Sequence, residues 1–170
     1  MVTVYVNGQK SHTFGFLPKV GEKAPDFHLV KNDLSEISNK DLEGKVVVLN
    51  IFPSIDTEVC AMSVRKFNME ATKYPDVVVV CVSMDLPFAQ KRFCAANNID
   101  NVIVTSAFRS PEFTKNYGVQ LIDGPLSGLL ARCVFVIGKD GRIEYEQLVD
   151  EITHEPNYDE VYDVLNNLTK

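Results

Sequence analysis

The chain has no apolar run approaching the roughly 20 residues needed to cross a bilayer. Its first ten residues also lack the basic start and continuous apolar stretch of a signal peptide. The expectation is a soluble, cytoplasmic protein. Cations are not in excess: 17 Lys and Arg stand against 23 Asp and Glu, for a formal charge of −6. Counterion release requires clustered Lys and Arg, so neither a nucleic acid nor an anionic membrane is an expected partner. Asp150, Glu151, Glu155, Asp159, Glu160 and Asp163 have no basic neighbours in sequence and read as a solvated surface. No Pro/Ser/Gly-rich linker, low-complexity tract or internal repeat interrupts the 170 residues, which predicts a single domain over 1–170. Close cysteine pairs are missing too. The four cysteines stand at 60, 81, 94 and 133, without the Cys-x-x-Cys spacing of structural zinc or of a dithiol reductase. Neither metal nor cofactor is called for, and His12, His28 and His154 share no ligand spacing.

What is present is an α/β alternation. Val2 to Val6 alternates with polar residues and Asn7-Gly8 signals a type I′ turn, so an N-terminal β-hairpin is expected within about residues 1–17. Val46 to Phe52 and Val77 to Ser83 are apolar on both faces, as central strands covered on both sides should be. Val102 to Thr105 reads as a further strand. Cys133 to Ile137 and Arg142 to Leu148 form a hairpin around Gly138-Lys139-Asp140-Gly141. Helices are predicted from near Thr57 to before Pro75, from Asp85 and Pro87 to about Asn97, over Pro111 to Tyr117 and over Tyr158 to Leu168. Strands separated by helices imply parallel pairing at the centre, with antiparallel strands added by the late hairpin.

Pro53-Ser54-Ile55-Asp56-Thr57-Glu58-Val59-Cys60 links the first central strand to the first long helix. Cys60, Val64, Phe67, Ala71 and Tyr74 recur every three or four residues, one helical stripe. A cysteine in the opening turn meets unpaired N–H groups and the positive end of the helix dipole, both of which favour S⁻ over SH. Thr57, three residues earlier, shares that face and can address the same small ligand. Glu58 is expected to face solvent. From the segment alone, a buried packing cysteine is an equally good account of Cys60. Cys81 and Cys133 lie within apolar strands and read as packing. Cys94 is one place off the Leu86, Ala89, Phe93 and Ala96 stripe, on the side of Gln90 and Asn97, where exposure is expected.

Pro53, Thr57 and Cys60 fit the peroxidatic signature Pro-x-x-x-Thr-x-x-Cys, and the run from Pro53 to Asn68 resembles the thiol peroxidase subfamily of peroxiredoxins, the atypical two-cysteine type. Gly21 to Phe27, Ala89 to Cys94 and Gly124 to Arg132 are similar to three further segments of that family, in the expected order. The resemblance implies a thioredoxin-like fold with a central mixed sheet flanked by helices. It also implies a homodimer, peroxide substrates and thioredoxin as the reductant.

By residue, the resemblance implies that Cys60 is peroxidatic and Cys94 resolving, joined as a Cys60–Cys94 disulfide during turnover. It makes Arg132 the active-site cation, Thr57 a hydrogen-bonding partner of sulfur and peroxide, and Pro53 a shield against water. The mechanism then requires Cys60 to be ionised and reachable by solvent. A disulfide needs Cα atoms within about 7 Å, so local unwinding around Cys60, Cys94 or both is expected. Ile55, Leu126 and Leu129 would suit alkyl hydroperoxides. A redox-sensing or chaperone-like module and a thioredoxin-fold disulfide reductase are the rival readings.

Overall fold

The computed structural model describes residues 1–169. Nine strands and four α-helices follow one another as β1 (Thr3–Val6), β2 (Gln9–His12), β3 (His28–Lys31), β4 (Glu36–Ser38), β5 (Val46–Ile51), α1 (Glu58–Ala71), β6 (Val77–Ser83), α2 (Pro87–Asn97), β7 (Ile103–Ser106), α3 (Pro111–Asn116), β8 (Cys133–Ile137), β9 (Ile143–Leu148) and α4 (Tyr158–Leu168). A short 3₁₀ turn, Asn39–Leu42, follows β4.

β1 and β2 make a separate two-stranded sheet, and the other seven strands form one mixed sheet in the order β4-β3-β7-β6-β5-β8-β9. Asn7 and Gly8, at φ 50° and 81°, supply the two left-handed residues a type I′ hairpin turn requires. β5, β6 and β7 run parallel, whereas β8 and β9 extend the sheet antiparallel from β5. The edge strand β4 and its neighbour β3 add residues that the apolar patterning had not marked, because both are short and carry polar side chains.

Every residue of β5 is buried, which requires cover on both faces. On one face Val47, Leu49 and Ile51 join Phe27, Phe113, Tyr117 and Phe135. On the other, Val46 and Val48 meet Cys60, Val64 and Phe67 of α1, Phe93 of α2, and Val161 and Leu165 of α4. A smaller cluster of Val4, Val6, Leu121, Ala131 and Ile152 seats the N-terminal hairpin against the main body. Among the described residues no helix is long and apolar enough to cross a membrane.

α2 departs from its expected orientation. Leu86 and Ala96 are exposed, while Pro87 and Gln90 are buried and Cys94 is half-buried against the core. The Gln90 side chain turns inward because its Nε2 donates to Ser83 Oγ at 3.1 Å and to the Thr105 carbonyl at 2.7 Å. The expectation of an exposed Cys94 is therefore corrected. The acidic C-terminal stretch is likewise less free than its sequence suggested, since Glu155 pairs with Lys66 at 3.1 Å. Glu151 accepts backbone N–H bonds from Gly8 and Thr153 at 2.8 and 3.1 Å.

Candidate active site

A loop and a strand pairing converge on the end of β5. α1 begins after the Pro53–Thr57 loop that leaves this strand, and antiparallel pairing sets Ile51 opposite Cys133. Arg132 therefore sits beside the point where the loop departs, although 72 positions separate it from Cys60. Its Nη2 donates to Cys60 Sγ at 3.2 Å and its Nε to the Ile152 carbonyl at 2.9 Å. Arg132 is only 2% exposed, and its Nη1 has no protein partner. A buried, rigidly held cation with one unused donor is suited to charge that develops beside the sulfur during reaction.

The N-terminal hairpin supports this arrangement from behind. Tyr5 N donates to the Asp150 carbonyl and Ile152 N to the Tyr5 carbonyl, at 2.6 and 2.9 Å. The strand that fixes Ile152 thus fixes the acceptor that orients Arg132. Glu151 closes the assembly over the hairpin turn. Hydrogen bonds from the backbone N–H groups of Thr153 and Gly8 hold its carboxyl down to about pKa 2.

Cys60 is the third residue of α1, after Thr57 at the N-cap. No side chain caps the helix, so its first-turn N–H groups are available to an anion. Beneath this turn, Ser63 Oγ donates to the Cys60 carbonyl at 2.7 Å and accepts from Asn50 Nδ2 at 3.2 Å. Asn50 Nδ2 also points to Cys81 Sγ at 3.7 Å. Neither Asn50 nor Ser63 stood out in sequence. The available signal was an amide within the otherwise apolar run Val46 to Phe52.

Two expectations about the site are corrected. Cys60 is 0% exposed rather than open to solvent, because α1 packs its first turn into the cluster that holds Phe52 and Ile55. The Thr57 hydroxyl does not cap the helix or bond the sulfur; it donates to the Ser54 carbonyl at 3.0 Å. Pro53 is buried at the end of β5, and Glu58 is exposed as expected. Ile55 is buried, while Leu126 and Leu129 are half-buried.

Cys94 lies on α2 over the same face of the sheet as Cys60, and all four cysteines are free. Burial raises the Cys94 thiol above its ordinary pKa, an effect countered in part by Asn32. Burial pushes Cys81 up to about 12 and raises Cys133 as well, in keeping with packing roles. Among the described residues no group of three or more His, Cys, Asp or Glu is arranged to hold a metal ion.

A family model described as Redoxin matches residues 19–162. The chain is 49% identical over 166 residues to a thiol peroxidase of Corynebacterium glutamicum, covering 98% of this chain and 100% of the relative. It is 52% identical over 159 residues to a thiol peroxidase of Mycobacterium bovis, covering 94% and 95% of the two chains. The crystal structure of a peroxiredoxin-like protein from Aquifex aeolicus superimposes with a TM-score of 0.93, at 46% identity and with 98% and 96% of the two chains covered.

Proposed function

The chain belongs to the redoxin family as a peroxiredoxin-type thiol peroxidase, and from that premise we propose that Cys60 is its peroxidatic and Cys94 its resolving residue. The observation that carries this reading is the 3.2 Å approach of Arg132 Nη2 to Cys60 Sγ in the first turn of α1. Family membership supplies peroxide as the substrate class and a thiol as the reductant.

Because the Cys60 sulfur is buried, the proposed cycle begins with a local opening of the loop before α1 that admits peroxide. The Cys60 thiolate then attacks one peroxide oxygen, forming an S–O bond as the O–O bond breaks. The electron pair goes to the departing oxygen, which takes a proton and leaves as water or an alcohol. Arg132 holds the sulfur through Nη2 and offers Nη1 to the charge on the departing oxygen. The Thr57 hydroxyl, whose proton is committed to Ser54, keeps lone pairs that can accept from the peroxide O–H. Pro53, without a backbone N–H, adds no competing donor and limits water around the sulfur.

The resulting sulfenic acid condenses with the Cys94 thiol, forming an S–S bond and releasing water. An external dithiol then reduces the Cys60–Cys94 disulfide by exchange and is itself oxidised. We assign that role to thioredoxin, assign hydrogen peroxide and alkyl hydroperoxides as substrates, and read residues 1–170 as one domain acting as a homodimer. The cycle suits a reducing, cytoplasmic setting in which the dithiol is regenerated. In this cycle the first turn of α1 and part of α2 unwind between the two chemical steps, so that two sulfurs carried on separate helices come within disulfide reach.

Turnover tests the assignment. With thioredoxin, its reductase and NADPH present, wild-type protein should consume many equivalents of hydrogen peroxide, and Cys60→Ser none. A single stoichiometric oxidation of wild type would instead indicate a redox sensor.

A further inference from the structure

The sequence marks Asp85 only as a residue before a helix, yet its carboxylate lies at a junction. Asp85 Oδ1 accepts from Ser54 Oγ at 2.7 Å, and Oδ2 accepts from Ile55 N at 2.7 Å and from Ser83 Oγ at 2.6 Å. Ser54 and Ile55 belong to the loop that leads into α1 and Cys60. Ser83 ends β6, and its hydroxyl also accepts from Gln90 Nε2 at 3.1 Å. Gln90 is fully buried on α2, four positions before Cys94.

The sheet makes this junction achievable. β5 and β6 run parallel, with Ile51 opposite Val82, so the loop after each strand leaves at the same end. Phe52 N donates to the Val82 carbonyl at 3.1 Å and continues that pairing beyond the strand. The two cysteine-bearing helices therefore start side by side, and one carboxylate reaches the backbone and a hydroxyl of the neighbouring loop.

We propose that Asp85 is a positioning residue that couples the two redox helices, holding the first turns of α1 and α2 folded together and releasing them together. This rests on the assignment of Cys60 and Cys94 made above. When the Cys60 turn unwinds, Ser54 and Ile55 withdraw and Asp85 loses two of its three side-chain acceptor bonds. A half-buried carboxylate left with one donor favours solvent, and its departure removes the acceptor that orients the Ser83 hydroxyl beneath Gln90. The Gln90 amide oxygen is already buried without a partner, so this turn gives up less on opening than a fully satisfied one.

The test uses the reduced full-length protein and needs no peroxide. Amide hydrogen exchange is compared between wild type and Asp85→Asn, whose amide cannot accept from all three donors. Exchange in residues 54–62 and in residues 88–95 should accelerate together by about tenfold or more, the effect expected for one charge-assisted hydrogen bond. β8 and the centre of α4 should be unchanged. Acceleration in only one of the two segments, or in neither, overturns the proposal. If Asp85→Asn does not fold, Ser54→Ala removes a single bond and should still give a smaller rise in both segments. A rise confined to residues 54–62 is again contrary.

A second readout separates coupling from general destabilisation. At a fixed excess of peroxide, faster closure of the disulfide should lower the fraction of Cys60 reaching sulfinic acid in Asp85→Asn to less than half that of wild type; an equal or greater fraction contradicts the coupling. If wild type forms no Cys60–Cys94 bond at all, the assignment of those residues fails, and the exchange comparison still decides the coupling by itself.

Discussion

The guanidinium of Arg132 donates to the sulfur of Cys60 at 3.2 Å across 72 residues of sequence. The same side chain is anchored from behind by the Ile152 carbonyl. Replacing it with lysine keeps one charge but loses the fork that serves both partners at once. Arg132→Lys should lower the second-order rate constant for peroxide reduction by roughly 10²- to 10³-fold, the range for loss of a preorganised donor at a developing negative charge. Stopped-flow measurement of Cys60 oxidation checks this, and a rate within threefold of wild type would contradict it.

Asn50 and Ser63 form a buried support beneath the Cys60 turn. Ser63→Ala leaves Asn50 Nδ2 without its oxygen acceptor and the Cys60 carbonyl without this donor. Removing one partner from a buried hydrogen bond costs about 1–3 kcal/mol. Urea denaturation of the reduced protein should show a loss of that size with an unchanged m-value. Unaltered stability would mean that the pair supports nothing.

Cys81 and Cys133 differ from the proposed redox pair in their buried strand positions. Cys81 is pushed up to about 12 from an ordinary value of 9 by burial, and Cys133 is also raised. The fold therefore favours their neutral thiols. This contribution to stability is complete below pH 9 and is lost as pH rises from 9 toward 12. At pH 8, iodoacetamide should leave both residues unmodified in the native reduced protein, as read by peptide mass. Rapid alkylation of either would contradict their packing role.

Glu151 gives the site an acid limit. Its carboxyl is held at about 2 against an ordinary 4.5, so its contribution is present above pH 4.5 and is lost as pH falls through 2. NMR titration should show the amides of Gly8 and Thr153 shifting with a midpoint near 2. A midpoint near 4.5 would mean that the carboxylate does not hold the hairpin turn. Glu151→Gln, which weakens the strand fixing Ile152, should also reduce peroxidase activity severalfold without changing α1.

The central strands were legible because complete burial leaves an unbroken apolar run, and the Cys60 helix because its inner stripe is apolar with a proline-bounded loop before it. The orientation of α2 was not legible. Periodicity counts apolar residues, whereas this helix buries Gln90 and exposes Leu86 and Phe88, at 51% and 68%. Arg132 could be named from family resemblance, but its contact with Cys60 depends on the pairing of β8 with β5, which no local pattern encodes. Asp85 was hidden for the same reason: its partners Ser54 and Ile55 lie 31 and 30 residues away.

The roles of Cys60 and Cys94 are tested most directly by intact-mass analysis after one equivalent of hydrogen peroxide. Wild type should lose two hydrogens, Cys94→Ser should gain one oxygen trapped as sulfenic acid, and Cys60→Ser should be unchanged. Oxidation of Cys60→Ser at the wild-type rate, or a Cys94→Ser protein that still closes an intramolecular disulfide, would contradict the account.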